Sequence, residues 1–94
     1  MMLKRLFTAL LLSLVALGGT ARAFTDDQAD DLYDRARDAI EQGRYDRAVA
    51  SLDRLIAEKT ARTDAALYWK AYSLAKLGQQ ADALTALADL EQRF

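Results

Sequence analysis

The sequence predicts an all-α fold, two antiparallel helical hairpins stacked as an α-solenoid and preceded by a signal peptide. Three observations carry this prediction. Beyond residue 23 the apolar side chains recur at helical spacing, and no stretch alternates with a period of two. Proline is absent, and glycine interrupts that region only at Gly43 and Gly78. The two halves of the region also match each other when the chain is shifted by 35 positions.

The segment 1–23 reads as a signal peptide. Lys4 and Arg5 give it a charged start, Leu6 to Leu17 is apolar apart from Thr8 and Ser13, and Ala21-Arg22-Ala23 supplies the small-x-small cleavage pattern. The rival reading is an uncleaved N-terminal anchor. The apolar run is short for that role, since spanning a bilayer takes about 20 apolar residues. Cleavage after Ala23 places the mature chain at 24–94, outside the inner membrane and in the periplasm.

Four helices follow in the mature chain. Thr25-Asp26-Asp27-Gln28 is a capping box: the threonine hydroxyl accepts from the Gln28 amide, and the aspartates complement the positive end of the helix. Leu32, Ala36, Ala39 and Ile40 form the apolar stripe of this first helix, which Gly43 ends in the left-handed conformation. The second runs from about Asp46 to about Lys59 on Ala48, Val49, Leu52, Leu55 and Ile56. Thr63 with Asp64 is expected to cap the third, which Gly78 ends. The fourth runs from about Gln80 onward on Ala83, Leu84, Leu87 and Leu90. Turns this short make successive helices antiparallel.

The 35-residue shift superposes Leu32 on Leu67, Tyr33 on Tyr68, Ala36 on Ala71, Gly43 on Gly78, Ala48 on Ala83, Leu52 on Leu87 and Leu55 on Leu90. Periods of 20–50 residues are the mark of repeat architectures. Repeat one spans about 26–60 and repeat two about 63–94.

Composition narrows the function. Loss of Lys4, Arg5 and Arg22 with the leader leaves ten basic residues against fourteen acidic ones, a net charge of −4. A mildly acidic domain without a basic stripe is unsuited to nucleic acid or to an anionic membrane surface. There is no cysteine, so neither disulfides nor an acylated lipoprotein cysteine is available. There is no histidine, the commonest metal ligand and general base. Asp30, Asp34 and Asp38 share a helix face, but hard cations want six or more converging oxygens. A solvated face, with Asp31 pairing to Arg35 and Asp34 to Arg37, is the better reading. No phosphate loop and no nucleophile–base pair is present, so we expect neither catalysis nor a cofactor nor a metal.

At these residues the chain resembles the tetratricopeptide repeat family. Small residues stand where the helices of a hairpin touch, at Ala36 and Ala48 and again at Ala71 and Ala83, and Gly43-Arg44-Tyr45-Asp46-Arg47-Ala48 is close to the family's turn. The second unit, from Ala66-Leu67-Tyr68-Trp69 to Phe94, is similar to exported bacterial members, in particular the repeats of periplasmic Tol–Pal-associated proteins. The chain departs from the pattern in lacking the helix-ending proline, and in carrying Arg35 and Lys70 where an apolar residue is usual.

The resemblance implies a scaffold that binds a protein or peptide in a concave groove lined by the first helix of each hairpin. Tyr33, Arg37, Ile40 and Glu41 would face it from repeat one, and Tyr68, Trp69, Tyr72 and Lys76 from repeat two. Members that clamp a chaperone's terminal carboxylate use Lys and Asn where this chain has Tyr33 and Arg37, so that specificity does not carry over. The aromatic cluster has two readings: binding hot spots, or side chains packed against a neighbouring hairpin. Repeat arrays generally need three or more units and a polar cap. The apolar Leu84, Leu87, Leu90 and Phe94 of the last helix therefore suggest that the repeat domain is truncated at its C-terminal end and continues beyond Phe94, a reading we favour over self-association or cover by a partner. The alternative function is a structural or oligomerising N-terminal module of a larger cell-envelope protein, without a ligand groove.

Overall fold

The computed structural model describes residues 24–94, and the leader reading of 1–23 lies outside them. Those residues form α1 (Asp26–Glu41), α2 (Tyr45–Ala57), α3 (Thr63–Lys76) and α4 (Gln80–Arg93), each packed against the next in chain order. The all-α, two-hairpin expectation holds.

Helix α1 begins as the capping box requires. The Gln28 amide donates to the Thr25 hydroxyl at 3.1 Å, and the Thr25 amide donates to the Gln28 side-chain oxygen at 2.9 Å. Its end is a Schellman turn: Gly43 has φ +73°, its amide donates to the Ile40 carbonyl at 3.0 Å, and the Arg44 amide donates to that of Ala39 at 2.8 Å. Gly78, with φ +80°, ends α3 by the same pair of bonds, from Gly78 to Ala75 and from Gln79 to Leu74.

The turn between the hairpins uses this geometry without glycine. Lys59 takes φ +52°, and the amides of Lys59 and Thr60 donate back to the carbonyls of Ile56 and Leu55. A side chain held in this region costs about 1–2 kcal/mol. Two threonines then fix the approach to α3. The Thr60 hydroxyl donates to the Leu55 carbonyl and accepts from the Arg62 amide, both at 3.3 Å, while the Thr63 hydroxyl donates to the Thr60 carbonyl at 2.6 Å. The expected Thr63–Asp64 cap is therefore corrected. Thr63 is already helical and buried, its hydroxyl turned back into the turn, and Arg62 at the cap position makes no side-chain capping bond. These threonine bonds tie the turn down where the family has proline.

The core has two parts. One gathers Ala29 and Ala36 of α1, Ala48, Leu52 and Leu55 of α2 and Ala66 of α3; the other gathers Ala71 and Leu74 of α3 with Ala83 and Ala86 of α4. The four alanines of the 35-residue match are all buried, as close helix approach demands. Helix α3 buries one side against the first hairpin and another against α4, which leaves a single arc to solvent.

Polar contacts join the repeats at two further points. Arg62 is bonded to Asp30 at 2.9 Å, and Lys70 to Asp53 at 2.7 Å. The Asp53 pair explains how a lysine is accommodated where the family prefers an apolar residue. Arg35 instead stays in solvent, paired with Asp31 at 3.0 Å.

Candidate functional site

The solvent-facing arc of α3 carries Tyr68, Tyr72 and Lys76, each four residues after the last and so on one face of the helix. Tyr68 is 51% and Tyr72 36% exposed. Trp69 lies beside them at the edge of the buried side, partly covered by the first hairpin. The Tyr68 and Trp69 rings meet edge-on with centroids 5.1 Å apart, and Trp69 meets Tyr72 in the same manner at 5.5 Å.

The strip extends beyond α3. Tyr45, at the start of α2, meets Tyr72 edge-on at 6.3 Å and completes a run of four rings. The sequence reading missed Tyr45 as a site residue and took it only as part of the turn. Its signal was its place two residues after the helix-ending Gly43, where the first residue of α2 comes level with the end of α3.

Two cations rest on these rings. The Arg37 guanidinium lies 4.1 Å from the Trp69 ring centre, and the Lys76 ammonium 5.4 Å from that of Tyr72. Such contacts contribute about 0.5–1 kcal/mol at exposed sites and more when desolvated. The expected Asp34–Arg37 pair is absent from the ion pairs among the described residues, because Arg37 leans across to repeat two.

Five of the six expected site residues, Arg37, Tyr68, Trp69, Tyr72 and Lys76, thus come together. Tyr33 stands apart: it packs on the first core cluster with the Arg62 guanidinium 4.6 Å above its ring. Ile40 likewise packs on that core, so these two side chains serve the hairpin more than an open face, whereas Glu41 is exposed. Repeat one contributes chiefly Arg37 and Tyr45 to the strip.

Depressions also lie elsewhere among the described residues. One, where the N-terminal ends of α1 and α3 approach, is lined by Asp26, Asp30, Arg62 and Asp64. Another lies between α2 and α4 and includes Asp53, Lys70, Asp82 and Asp89, and a third, between α1 and α2, includes Arg35, Asp38, Arg44 and Arg47. Among the described residues no acidic cluster has the arrangement to hold a metal ion, and no helix is long and apolar enough to cross a membrane.

A family model for the tetratricopeptide repeat matches residues 30–58 and again 65–94, well over half of the chain. The chain belongs to the tetratricopeptide repeat family. Each matched tetratricopeptide segment falls on one hairpin. No curated protein and no solved structure matches the chain. Tetratricopeptide repeats are a non-enzymatic family whose general role is protein–protein interaction.

Proposed function

We propose that this chain is an exported, periplasmic scaffold that holds a protein or peptide partner on a concave face formed by α1 and α3. Tyr68, Tyr72, Lys76 and Arg37 meet the partner, while Trp69 supports them from the rim of the core. The observation that carries this reading is the solvent exposure of Tyr68 and Tyr72 on one arc of α3, on either side of Trp69. Aromatic side chains offer large contact area with few rotatable bonds, which is why they dominate binding hot spots. Here the edge-on contacts already hold the rings, so ordering them on binding costs less than for isolated side chains. The periplasmic setting rests on the leader-like segment 1–23 and on the resemblance of repeat two to exported bacterial repeats.

Affinity capture from a cell-envelope extract tests the scaffold reading. A protein retained by the wild type and lost by the Tyr68→Ala/Tyr72→Ala double variant, at unchanged helicity, supports it. Equal retention by both would oppose it. The export reading is tested by mass spectrometry of the mature protein, which should begin at Phe24.

A second reading has its own support. Leu84, Leu87 and Phe94 are exposed along α4, and this apolar edge suits self-association or a purely structural role. Sedimentation of the wild type beside Leu84→Ser/Leu87→Ser separates the two, since only the structural reading ties the assembly state to those leucines.

A further inference from the structure

We infer that the partner segment carries side-chain carboxylates next to an apolar residue, and that these carboxylates dock on Arg37 and Lys76 while the apolar residue sits on Tyr68 and Tyr72. The inference rests on the proposed binding face and adds the chemistry of what that face takes.

Charge complementarity carries it. Residues 24–94 carry fourteen acidic side chains against ten basic ones, and four of the ten are matched in ion pairs: Arg35 with Asp31, Arg62 with Asp30, Lys70 with Asp53 and Arg93 with Asp89, all at 2.7–3.0 Å. Arg37 and Lys76 have no carboxylate within ion-pair distance among the described residues and rest on ring faces instead. The Arg37 Nε is buried with no hydrogen-bond partner among the described residues, so a ligand can meet this guanidinium only through its terminal nitrogens. A carboxylate at this site gains charge-assisted hydrogen bonds beside apolar rings that exclude water. A basic segment would meet two positive charges there.

The neighbouring acids set the register. Asp34, Asp38 and Glu41 are exposed on α1 near Arg37, and Asp26, Asp30 and Asp64 line the depression at the opposite end of the face against Arg62 alone. They disfavour carboxylates over α1 and at that end, while Arg37 and Lys76 are the cations that rest on the rings of the strip. Tyr68 and Lys76 are eight residues apart on α3, about 12 Å along the helix. An extended segment covers that distance in about four residues. The fitting ligand is therefore an internal stretch with an apolar residue and an acidic one about four positions away.

The test uses three labelled peptides of about ten residues, acetylated and amidated so that no terminal carboxylate contributes. They share an apolar pair and differ only in carrying glutamates, glutamines or lysines at the flanking positions. Fluorescence anisotropy against the mature protein should rank the glutamate peptide first, the glutamine peptide about tenfold weaker, and the lysine peptide below detection. Lys76→Glu, an exposed substitution that circular dichroism should find folded, leaves Arg37 opposed by a carboxylate and is expected to bring the glutamate and lysine peptides close to equal affinity. Lys76→Gln should reduce the difference between them. Equal affinity for the glutamate and glutamine peptides, lost together on Tyr72→Ala, would overturn the charge assignment and leave the aromatic face standing. No saturable binding of the glutamate peptide, or an undiminished gap between the glutamate and lysine peptides in Lys76→Glu, would also overturn it. Capture of a partner lost on removal of Tyr68 and Tyr72 would in either case still support the scaffold reading.

Discussion

Leu52 and Leu87 occupy the same position in the two repeats, yet Leu52 is wholly buried and Leu87 is 42% exposed. The difference lies in what covers them. Leu52 of α2 is closed over by α3, whereas no further helix among the described residues lies on the outer side of α4. Identical residues a repeat apart therefore differ in their contribution to stability. Leu52→Ala should cost about 2–5 kcal/mol through lost burial and a residual cavity. Leu87→Ala should cost about 1 kcal/mol or less. Urea titration of the two variants checks this, and equal losses would contradict the stacking order.

The buried alanines give a second comparison. Ala48 is wholly buried and Ala83 nearly so, while Ala50 faces solvent on the same helix as Ala48. Ala48→Leu or Ala83→Leu should destabilise by about 1–3 kcal/mol through overpacking. In a domain of this size each kcal/mol lowers the midpoint of thermal unfolding by about 4–8 °C. Ala50→Leu should shift it little, and calorimetry on the three variants decides the matter.

Most of the fold was legible in the sequence, and the reasons are local. The Thr25–Gln28 box and the two glycines are short-range signals, and each does at its helix end what its residue type demands. The turn at Lys59 was not legible, because a left-handed lysine has no sequence mark, and the Thr60–Thr63 network was misread as a helix cap. The site was legible on α3, where one helix period places Tyr68, Tyr72 and Lys76 together. Tyr45 and the tilt of Arg37 toward Trp69 depend on how one hairpin lies against the next, which no local pattern encodes.

Lys59 supplies a third prediction. Its backbone sits where side chains are disfavoured, so Lys59→Gly should stabilise the domain by about 1 kcal/mol, less the greater freedom glycine gives the unfolded chain. The reverse change, Gly78→Ala, should destabilise by a similar amount. A Cβ built at Gly78 meets nothing within 4 Å, so the cost arises from the backbone alone. Opposite shifts in thermal midpoint are the expected result.

The Thr25 cap supplies a fourth. Thr25→Ala removes the acceptor for the Gln28 amide and should cost about 1 kcal/mol. Amide exchange should quicken in the first turn of α1 and stay unchanged in α4.

On the proposed function, the exposed rings of α3 bind a partner and do not merely hold the fold. Tyr72 tests it most directly, because its ring joins Tyr45 to Trp69 yet remains 36% exposed. The decisive measurement is the affinity of Tyr72→Ala for a captured partner, taken beside its unfolding free energy. Loss of a hot-spot aromatic weakens binding by about 2 kcal/mol or more. An affinity reduced well over tenfold, with only a modest loss of stability, is the expected result. A variant that unfolds while its folded fraction binds as well as the wild type would instead make the aromatic strip a packing feature.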